Sequence, residues 1–226
     1  MTLKKGIFIL IAGANASGKS SVIKSKYVKE RIKHYANPDK LEDPEFPIAE
    51  KDILGFKARV MHDEGNAARF AVACVDDWLE SERHRKEGIA TESNLVSTRD
   101  FRKFREAKAA GMRTELYFVG LPLETAIQRE KIRAYRKEQK GIGADTVADR
   151  YRGIFNIQKH INEGNIDLIK IYDNSRGVGE EELVFHMENG KTIFLNPEPI
   201  LQWFKDAQAL NPEIEIPPFL EKQEQI

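Results

Sequence analysis

One eight-residue segment near the start of the chain constrains the fold more than any other. Gly13-Ala-Asn-Ala-Ser-Gly18-Lys19-Ser20 follows the unbroken apolar run Ile7–Ala12 and precedes a segment with helical character. The two glycines allow consecutive backbone N–H groups to turn inward around phosphate oxygens. In this pattern the lysine reaches the β- and γ-phosphates, and the serine offers its hydroxyl to Mg²⁺. The segment therefore predicts a loop that binds the phosphates of ATP.

An accidental match in an ordinary loop is the alternative, and the context speaks against it. A strand directly before the loop and a helix directly after it are what phosphate binding requires mechanically. The residues predicted to contact the nucleotide phosphates, with Ser20 as the Mg²⁺ ligand, are Gly13, Ala14, Asn15, Ala16, Ser17, Gly18, Lys19, Ser20 and Ser21.

The remaining pattern predicts a three-layer α/β fold of the P-loop NTPase type. Ile7–Ala12 shows no alternation of apolar and polar residues, which is typical of a strand buried on both faces of a mostly parallel sheet. Further strands are predicted at 34–36, 88–92, 113–120 and 166–173, and a small C-terminal hairpin at 183–186 and 192–195. Helices are predicted at 20–30, 49–61, 67–86, 99–110, 123–140, 146–162 and 199–208.

The length of 226 residues fits one domain. We expect a single domain over 1–210, with a helical, substrate-side arm at about 42–88 and a basic, lid-like region at about 129–150. The tail 211–226 is expected to be loosely held.

Balanced charge limits the kinds of partner. Lys plus Arg equals Asp plus Glu at 36 each, so no global field favours long nucleic acid or an anionic membrane. The single cysteine, Cys74, lies in an apolar helical run and is expected to be an inert core thiol. A cytoplasmic location without a targeting or membrane segment is the expectation, because the apolar run before the loop is short.

Several short segments, taken in order, resemble the zeta toxin family of P-loop kinases. Each fragment is weak alone, but their order and spacing over residues 7 to about 205 make the resemblance fairly specific. They are 12–21 at the phosphate loop, Asn37-Pro-Asp-Lys-Leu41, Ala90-Thr-Glu-Ser93 with Ser97-Thr98, Ala107-Lys-Ala-Ala-Gly111, Tyr117-Phe-Val-Gly-Leu121, Ala126-Ile-Gln-Arg129 with Arg133, Arg150-Tyr151, and Ile171-Tyr-Asp-Asn-Ser175.

The resemblance implies ATP- and Mg²⁺-dependent phosphorylation of a hydroxyl on a small molecule. In the best known members the acceptor is a UDP-activated amino sugar, and an antitoxin protein is a possible partner. Relatives often carry Gly-Gly-His in the lid, where this chain has Gly141-Ile-Gly-Ala-Asp-Thr-Val147. The acceptor therefore stays open at this point.

Two carboxylates are candidates for handling the acceptor hydroxyl. Asp39 follows the second strand at the carboxyl edge of the sheet, where it could accept a proton during phosphoryl transfer; a turn or helix-capping role is the alternative. Glu92 ends the third strand at the same edge and could bind the substrate or a Mg²⁺-bound water; capping is again the alternative. The resemblance favours the functional role for both residues. Ser93 and Thr98 are weaker candidates for substrate contacts.

A basic helix could close over the phosphates. Arg129, Arg133 and Arg136 recur near one helix face, and a guanidinium can stabilise the charge that phosphoryl transfer develops. An ordinary solvated basic helix is the alternative. The resemblance favours Arg129 and Arg133 as catalytic residues, with Arg150 as a second clamp.

Asn174 follows the last parallel strand, where P-loop kinases commonly bring a loop close to the adenine. Its side-chain amide is predicted to contact the base, and a plain Asx turn explains the residue almost as well.

Two rival functions stay open beside a small-molecule kinase. One is a nucleotide-dependent regulatory ATPase that switches conformation. The other is a kinase whose acceptor is a nucleotide or NAD; balanced charge argues against long nucleic acid but not against a mononucleotide.

Overall fold

The computed structural model describes residues 6–136, 142–177, 179–210, 215–217 and 220. A seven-stranded sheet in the order β2-β3-β1-β4-β5-β6-β7 forms its centre. The strands are β1 Ile7–Ala12, β2 His34–Ala36, β3 Ile89–Ser93, β4 Arg113–Gly120, β5 Leu168–Asp173, β6 Glu182–Glu188 and β7 Lys191–Leu195. The first five strands are parallel, and the hairpin β6–β7 adds two antiparallel strands at one edge. The predicted mostly parallel sheet and C-terminal hairpin are confirmed.

Helices cover both faces of the sheet. They are α1 Lys19–Lys24, α2 Lys26–Lys29, α3 Phe56–Asp63, α4 Ala67–Glu80, α5 Glu82–Glu87, α6 Thr98–Ala109, α7 Leu123–Arg136, α8 Ala144–Tyr151, α9 Asn156–Glu163 and α10 Pro197–Leu210. Single 3-10 turns occupy Glu50–Asp52 and Arg152–Phe155. Residues 137–140 of the predicted helix 123–140, and most of the predicted tail, lie outside the described residues.

The apolar side chains of β1 contribute to two hydrophobic cores. Phe8 and Leu10 belong to the larger core on one face of the sheet, whereas Ile9 and Ile11 belong to a second core on the other face. Alternate side chains of a strand point to opposite faces, so a strand without polar residues must be covered twice. The result is the predicted three-layer α/β fold.

Four predicted helices are interrupted, and one of them, 146–162, is divided into α8 and α9 by the 3-10 turn Arg152–Phe155. The predicted helix 20–30 breaks at Ser25, whose backbone is extended and whose hydroxyl donates to the carbonyl of Val22. The predicted helix 49–61 is reduced to a 3-10 turn and α3, because the N–H of Gly55 donates to Asp77 Oδ2 at 2.8 Å instead of continuing a helix. Ser81 separates α4 from α5 in the predicted helix 67–86.

The segment predicted as an arm lies against the sheet. Helix α4 packs on β2 and β3, and its Phe70, Cys74 and Trp78 enter the larger core. Burial raises the pKa of the Cys74 thiol to about 12, which keeps the thiol protonated and inert. Among the described helices, none combines the length and apolar character that crossing a bilayer requires.

The parallel register brings the ends of several strands to one edge. Ala12 at the end of β1 pairs with Ser93 of β3 and with Phe118 of β4. The segments that follow these strands therefore meet above the same edge, where α/β folds bind ligands.

Candidate nucleotide and acceptor site

The loop between β1 and α1 needs both of its glycines. Gly13 has φ +144° and Gly18 has φ +101°, both in the region that favours glycine. A Cβ atom at Gly13 would lie 2.3 Å from the carbonyl oxygen of Val119, and one at Gly18 would lie 2.2 Å from Asn174 Nδ2. The loop thus has no room for side chains at these two positions.

Lys19 bridges the inside of the loop. Its Nζ donates to the carbonyl oxygens of Gly13 at 3.1 Å and Ala14 at 3.0 Å. Desolvation lowers the pKa of Lys19, and the carboxylates of Glu92 and Asp39 oppose that shift. The amine is therefore held at the centre of the loop with two carboxylates near it.

Glu92 is fixed at the end of β3 by a partner that the sequence did not reveal. The hydroxyl of Tyr35, on β2, donates to Glu92 Oε1 at 2.5 Å. Burial raises the pKa of Glu92, while Lys19 and this hydrogen bond oppose the shift. The only sequence signal for Tyr35 was its place in a short strand two positions before Asn37.

Asp39 lies in a turn that its neighbour makes. The N–H of Asp39 donates to Asn37 Oδ1 at 2.9 Å, which is an Asx turn after β2. No helix begins at Asp39, since the next helical turn is Glu50–Asp52. The helix-capping alternative is therefore wrong, and the exposed carboxylate points to the neighbouring cavities.

Three adjoining cavities meet at Asp39 and Glu92, which line all of them. The loop cavity, of about 500 Å³, contains the phosphate loop and one face of α7. The helix cavity, of about 210 Å³, lies between α4, the end of β3 and the start of α6. The lid cavity, of about 610 Å³, lies between α1, the segment after β2 and α7. Such an arrangement can hold two ligands side by side, with carboxylates where they meet.

The arginines of α7 face the phosphate loop. Arg129, Arg133 and Arg136 line the loop cavity together with Ile132, which the sequence analysis did not single out. Arg133 forms a two-point ion pair with the buried Glu130, with Nε 2.9 Å from Oε2. This pairing holds the guanidinium in one orientation at the border of the loop and lid cavities.

Two further arginines connect α7 and α8 to the phosphate loop and its support. Arg150 Nη1 donates to Asn15 Oδ1 at 2.9 Å, so α8 reaches the loop directly. Arg129 Nη2 donates to the carbonyl oxygen of Asn174 at 2.7 Å. Charged hydrogen bonds of this kind are among the stronger ones in proteins.

Asn174 is fully buried behind the loop. Its Nδ2 donates to the carbonyl oxygen of Ser17 at 2.7 Å, and its N–H donates to the carbonyl of Gly120 at 2.9 Å. The side chain therefore braces the phosphate loop against the end of β5. The predicted adenine contact remains a prediction, and in this structure the amide nitrogen is engaged elsewhere.

The two weaker candidates have different positions. Ser93 lines the helix cavity, and its hydroxyl donates to Asp100 Oδ2 at 2.7 Å. Thr98 is exposed at the start of α6, and its neighbours Ser97 and Arg99 line the helix cavity instead.

The helix cavity also holds two buried charged residues that the sequence analysis missed. Asp100 is 8% exposed, and burial raises its pKa to about 6. Lys103 is 4% exposed and pairs with Asp76; burial lowers its pKa to about 8. Asp100 and Lys103 lie three residues apart on a predicted helix, and this spacing was the one sequence feature that could have indicated that they share a helix face.

Comparison with known proteins gives one family match. The sequence matches the model of the family described as Zeta toxin over residues 2–179. No curated protein gives a significant match.

Several solved structures share the fold. The complex of AvrRxo1-ORF1 with AvrRxo1-ORF2 and sulphate ions is 16% identical, with a TM-score of 0.61 over 95% of this chain and 65% of that one. The complex with ATP is 14% identical, with a TM-score of 0.60 over 94% of this chain and 65% of the other. A structure of the PezAT toxin-antitoxin system of Streptococcus pneumoniae is 16% identical, with a TM-score of 0.54 over 94% of this chain and 89% of that chain. The chain thus spans about 65% of the length of the AvrRxo1-ORF1 structures.

Proposed function

Because the chain belongs to the zeta toxin family, we propose that this P-loop enzyme is an ATP-dependent kinase that phosphorylates a hydroxyl group of a small molecule. The observation that carries the proposal is the position of Asp39 and Glu92, which line the loop cavity and both cavities beside it. A nucleotide in the loop cavity and an acceptor in a neighbouring cavity would meet at these carboxylates.

In this proposal the phosphate loop binds the phosphates of the nucleotide. Gly13 and Gly18 supply the positive-φ backbone with which such a loop turns N–H groups toward phosphate oxygens, and Lys19 would neutralise charge between the β- and γ-phosphates. The exposed hydroxyl of Ser20 and the carboxylate of Glu92 line one cavity, and such hard oxygen donors fit Mg²⁺ or a water bound to it. When bound, Mg²⁺ supplies charge neutralisation for the phosphates.

Asp39 acts as the base in this mechanism. Its exposed carboxylate lies at the meeting point of the cavities and accepts the proton of the acceptor hydroxyl as the oxygen attacks the γ-phosphorus in line. The bond from that phosphorus to the β,γ-bridging oxygen breaks, and ADP leaves. Glu92, held by Tyr35, orients the acceptor hydroxyl group toward Asp39.

The arginines of α7 stabilise the transferred group. Arg133 lines both the loop cavity and the lid cavity, and Arg129 lines the loop cavity while holding the carbonyl of Asn174. Guanidinium groups in these positions would offset the negative charge on the equatorial phosphoryl oxygens.

The acceptor is proposed to bind in the helix cavity. Its α4 side is apolar, with Ala71, Val72 and Val75, and Asp100 and Lys103 add polar groups on the α6 side. A UDP-activated amino sugar is the first compound to test, since the family resemblance implies it; nucleotides and NAD are the next. The similarity to the AvrRxo1-ORF1:AvrRxo1-ORF2 complex and to the PezAT toxin-antitoxin system supports an antitoxin-like protein as a partner.

A metabolite screen tests this function. The protein, its Lys19→Ala variant and a control variant at exposed Lys26 are incubated with ATP, Mg²⁺ and a metabolite extract, and products are identified by mass spectrometry. We expect one new phosphorylated compound with the wild type and the control, and none with Lys19→Ala. Formation of ADP and free phosphate alone would favour a regulatory ATPase over a kinase.

A further inference from the structure

A second polar cluster lies away from the phosphate loop, where three elements meet. His34 on β2, Asp52 in the 3-10 turn Glu50–Asp52 and His84 on α5 are 6%, 7% and 1% exposed. One ligand atom from each, a ring nitrogen or a carboxylate oxygen, lies within 4.8 Å of the other two. Imidazole and carboxylate are the donors that Zn²⁺ and related divalent transition metals prefer.

Each histidine ring already has a hydrogen-bond partner outside the cluster. His34 Nε2 lies 2.7 Å from Glu87 Oε2, and His84 Nδ1 lies 2.6 Å from the hydroxyl oxygen of Ser81. In metal sites a ligating histidine almost always bonds such a carboxylate, carbonyl or hydroxyl through its other nitrogen, which fixes the ring. The surroundings of both rings thus match those of ligating histidines.

One contact inside the cluster depends on the tautomer of His84: with the proton on Nε2 it is a hydrogen bond to Asp52, and Nδ1 accepts from the Ser81 hydroxyl. His84 Nε2 and Asp52 Oδ1 are 3.1 Å apart. If instead Nδ1 donates its proton to Ser81, then Nε2 presents a lone pair to a carboxylate oxygen, and two lone pairs repel unless a cation lies beside them. Either a proton or a metal ion can fill that role.

The local charge leaves room for an added cation. Asp52 and Glu87 are acidic, and Arg83 is the basic partner, 2.5 Å from Asp52 and 3.6 Å from Glu87. With neutral histidines the cluster carries one excess negative charge, and half-exposed Arg83 can shift toward Glu87.

We propose that His34, Asp52 and His84 supply three ligands to a divalent transition metal of the Zn²⁺ class. Ligand atoms around tetrahedral Zn²⁺ lie about 3.3 Å apart, from metal–ligand distances of about 2.0 Å. The Asp52–His84 pair already has this spacing at 3.1 Å, and the ligand atoms of all three residues lie within 4.8 Å of one another. The ion would link α5 and the 3-10 turn to β2, the strand that leads to Asp39.

The test uses the full chain after removal of metals with a chelator. Binding of Co²⁺ is followed by its visible ligand-field absorption, and thermal unfolding is measured with and without Zn²⁺. We expect one Co²⁺ per chain and a higher Tm with Zn²⁺ for the wild type. The variants Asp52→Asn and His84→Gln should lose both effects, and the control His62→Ala, outside the cluster, should keep them.

Several outcomes would overturn the site. Absence of Co²⁺ binding by the folded wild type would show that a proton alone bridges the cluster. Equal binding by wild type and Asp52→Asn would place the metal elsewhere on the chain. If His84→Gln fails to fold, the wild type and Asp52→Asn still decide the question. None of these readouts depends on kinase activity.

Discussion

Single residues at the meeting point of the cavities carry the proposed chemistry. Lys19 lies between loop carbonyls with the carboxylates of Glu92 and Asp39 near it, and burial affects Lys19 and Glu92 in opposite directions. The lysine pKa is lowered and the glutamate pKa is raised, so each group depends on the other for its charge. The charge state of the site therefore depends on a few side chains.

Replacing the proposed base should separate binding from chemistry. Asp39→Asn keeps the Asx turn, because that turn uses the backbone N–H of residue 39. We expect acceptor phosphorylation to fall by about 100-fold or more, the typical size of a lost general base. Affinity for a non-hydrolysable ATP analogue should change less than about threefold.

The comparison needs kcat from product formation and Kd from calorimetry. Asp63→Asn, at the exposed end of α3, serves as the control and should behave as the wild type. Loss of nucleotide affinity by folded Asp39→Asn would contradict the assigned role.

Asp100 should make stability depend on pH. Its folded-state pKa of about 6 exceeds the ordinary value of 3.8, so between these values the folded state binds more protons than the unfolded state. Stability should therefore fall as pH rises through that window, by up to about 3 kcal/mol, and stay level above it. Asp100→Asn should lack this component.

Thermal unfolding from pH 3.5 to 7.5 measures the effect as the Tm difference between variant and wild type. That difference should grow in favour of Asp100→Asn as pH rises. Asp145→Asn, on an exposed part of α8, is the control. Parallel profiles for wild type and Asp100→Asn would show that Asp100 is not protonated more readily in the folded state.

At the scale of elements, the phosphate loop is held from behind by the end of β5 and from the front by α7 and α8. Asn174 supplies the first support through Ser17, while Arg129 and Arg150 connect the helices to Asn174 and Asn15. The loop's shape therefore depends on segments more than a hundred residues away in sequence.

Removing the Asn174 side chain, which supports the phosphate loop from behind, should weaken nucleotide binding. Asn174→Ala leaves the buried carbonyl of Ser17 without the amide donor, which costs roughly 1–3 kcal/mol. We expect ATP affinity to fall about tenfold while the protein stays folded, as measured by calorimetry and circular dichroism. Asn162→Ala, exposed on α9, is the matched control. Unchanged ATP affinity for Asn174→Ala would contradict this support.

Local sequence patterns predicted the strands and the loop but not the helix breaks. The apolar runs of β1 and β4 are buried on both faces, and two-sided burial leaves a clear signal in the sequence. The break at Gly55 depends on Asp77, 22 residues later, so no local pattern could reveal it.

The candidate site shows the same division. The glycines and the lysine of the phosphate loop form a local pattern that the sequence revealed, whereas the contacts that support the loop from Asn174 and Arg150 did not show in it. Tyr35 and Glu130 gain their importance from partners or cavities that only the folded chain brings near, as the Tyr35–Glu92 hydrogen bond shows. Asn174 was placed correctly behind a strand, yet its partner Ser17 lies 157 positions earlier in the sequence.

For the whole molecule, the parallel sheet brings nucleotide and acceptor cavities to one edge. The loop cavity lies above β1, and the helix cavity lies beside it between α4 and α6. The proposed kinase requires both, whereas a simple ATPase requires only the first.

Filling the helix cavity should therefore block the acceptor but not ATP. Val72 on α4 lines this cavity and is partly exposed. Val72→Phe should lower kcat/KM for the acceptor by at least tenfold and leave affinity for the ATP analogue unchanged. Arg69→Phe adds the same ring on an exposed position of the same helix and should have no effect. Equal acceptor kinetics for Val72→Phe and wild type would place the acceptor elsewhere.

The fate of the γ-phosphoryl group decides between a kinase and an ATPase. The protein is given ATP labelled in the γ-phosphate together with a metabolite extract, and label in organic phosphate is compared with ADP formed. We expect nearly one labelled organic phosphate per ADP for the wild type, and almost no labelled organic phosphate for Asp39→Asn. Label found only in inorganic phosphate, at an ADP yield independent of the extract, would contradict the proposed kinase.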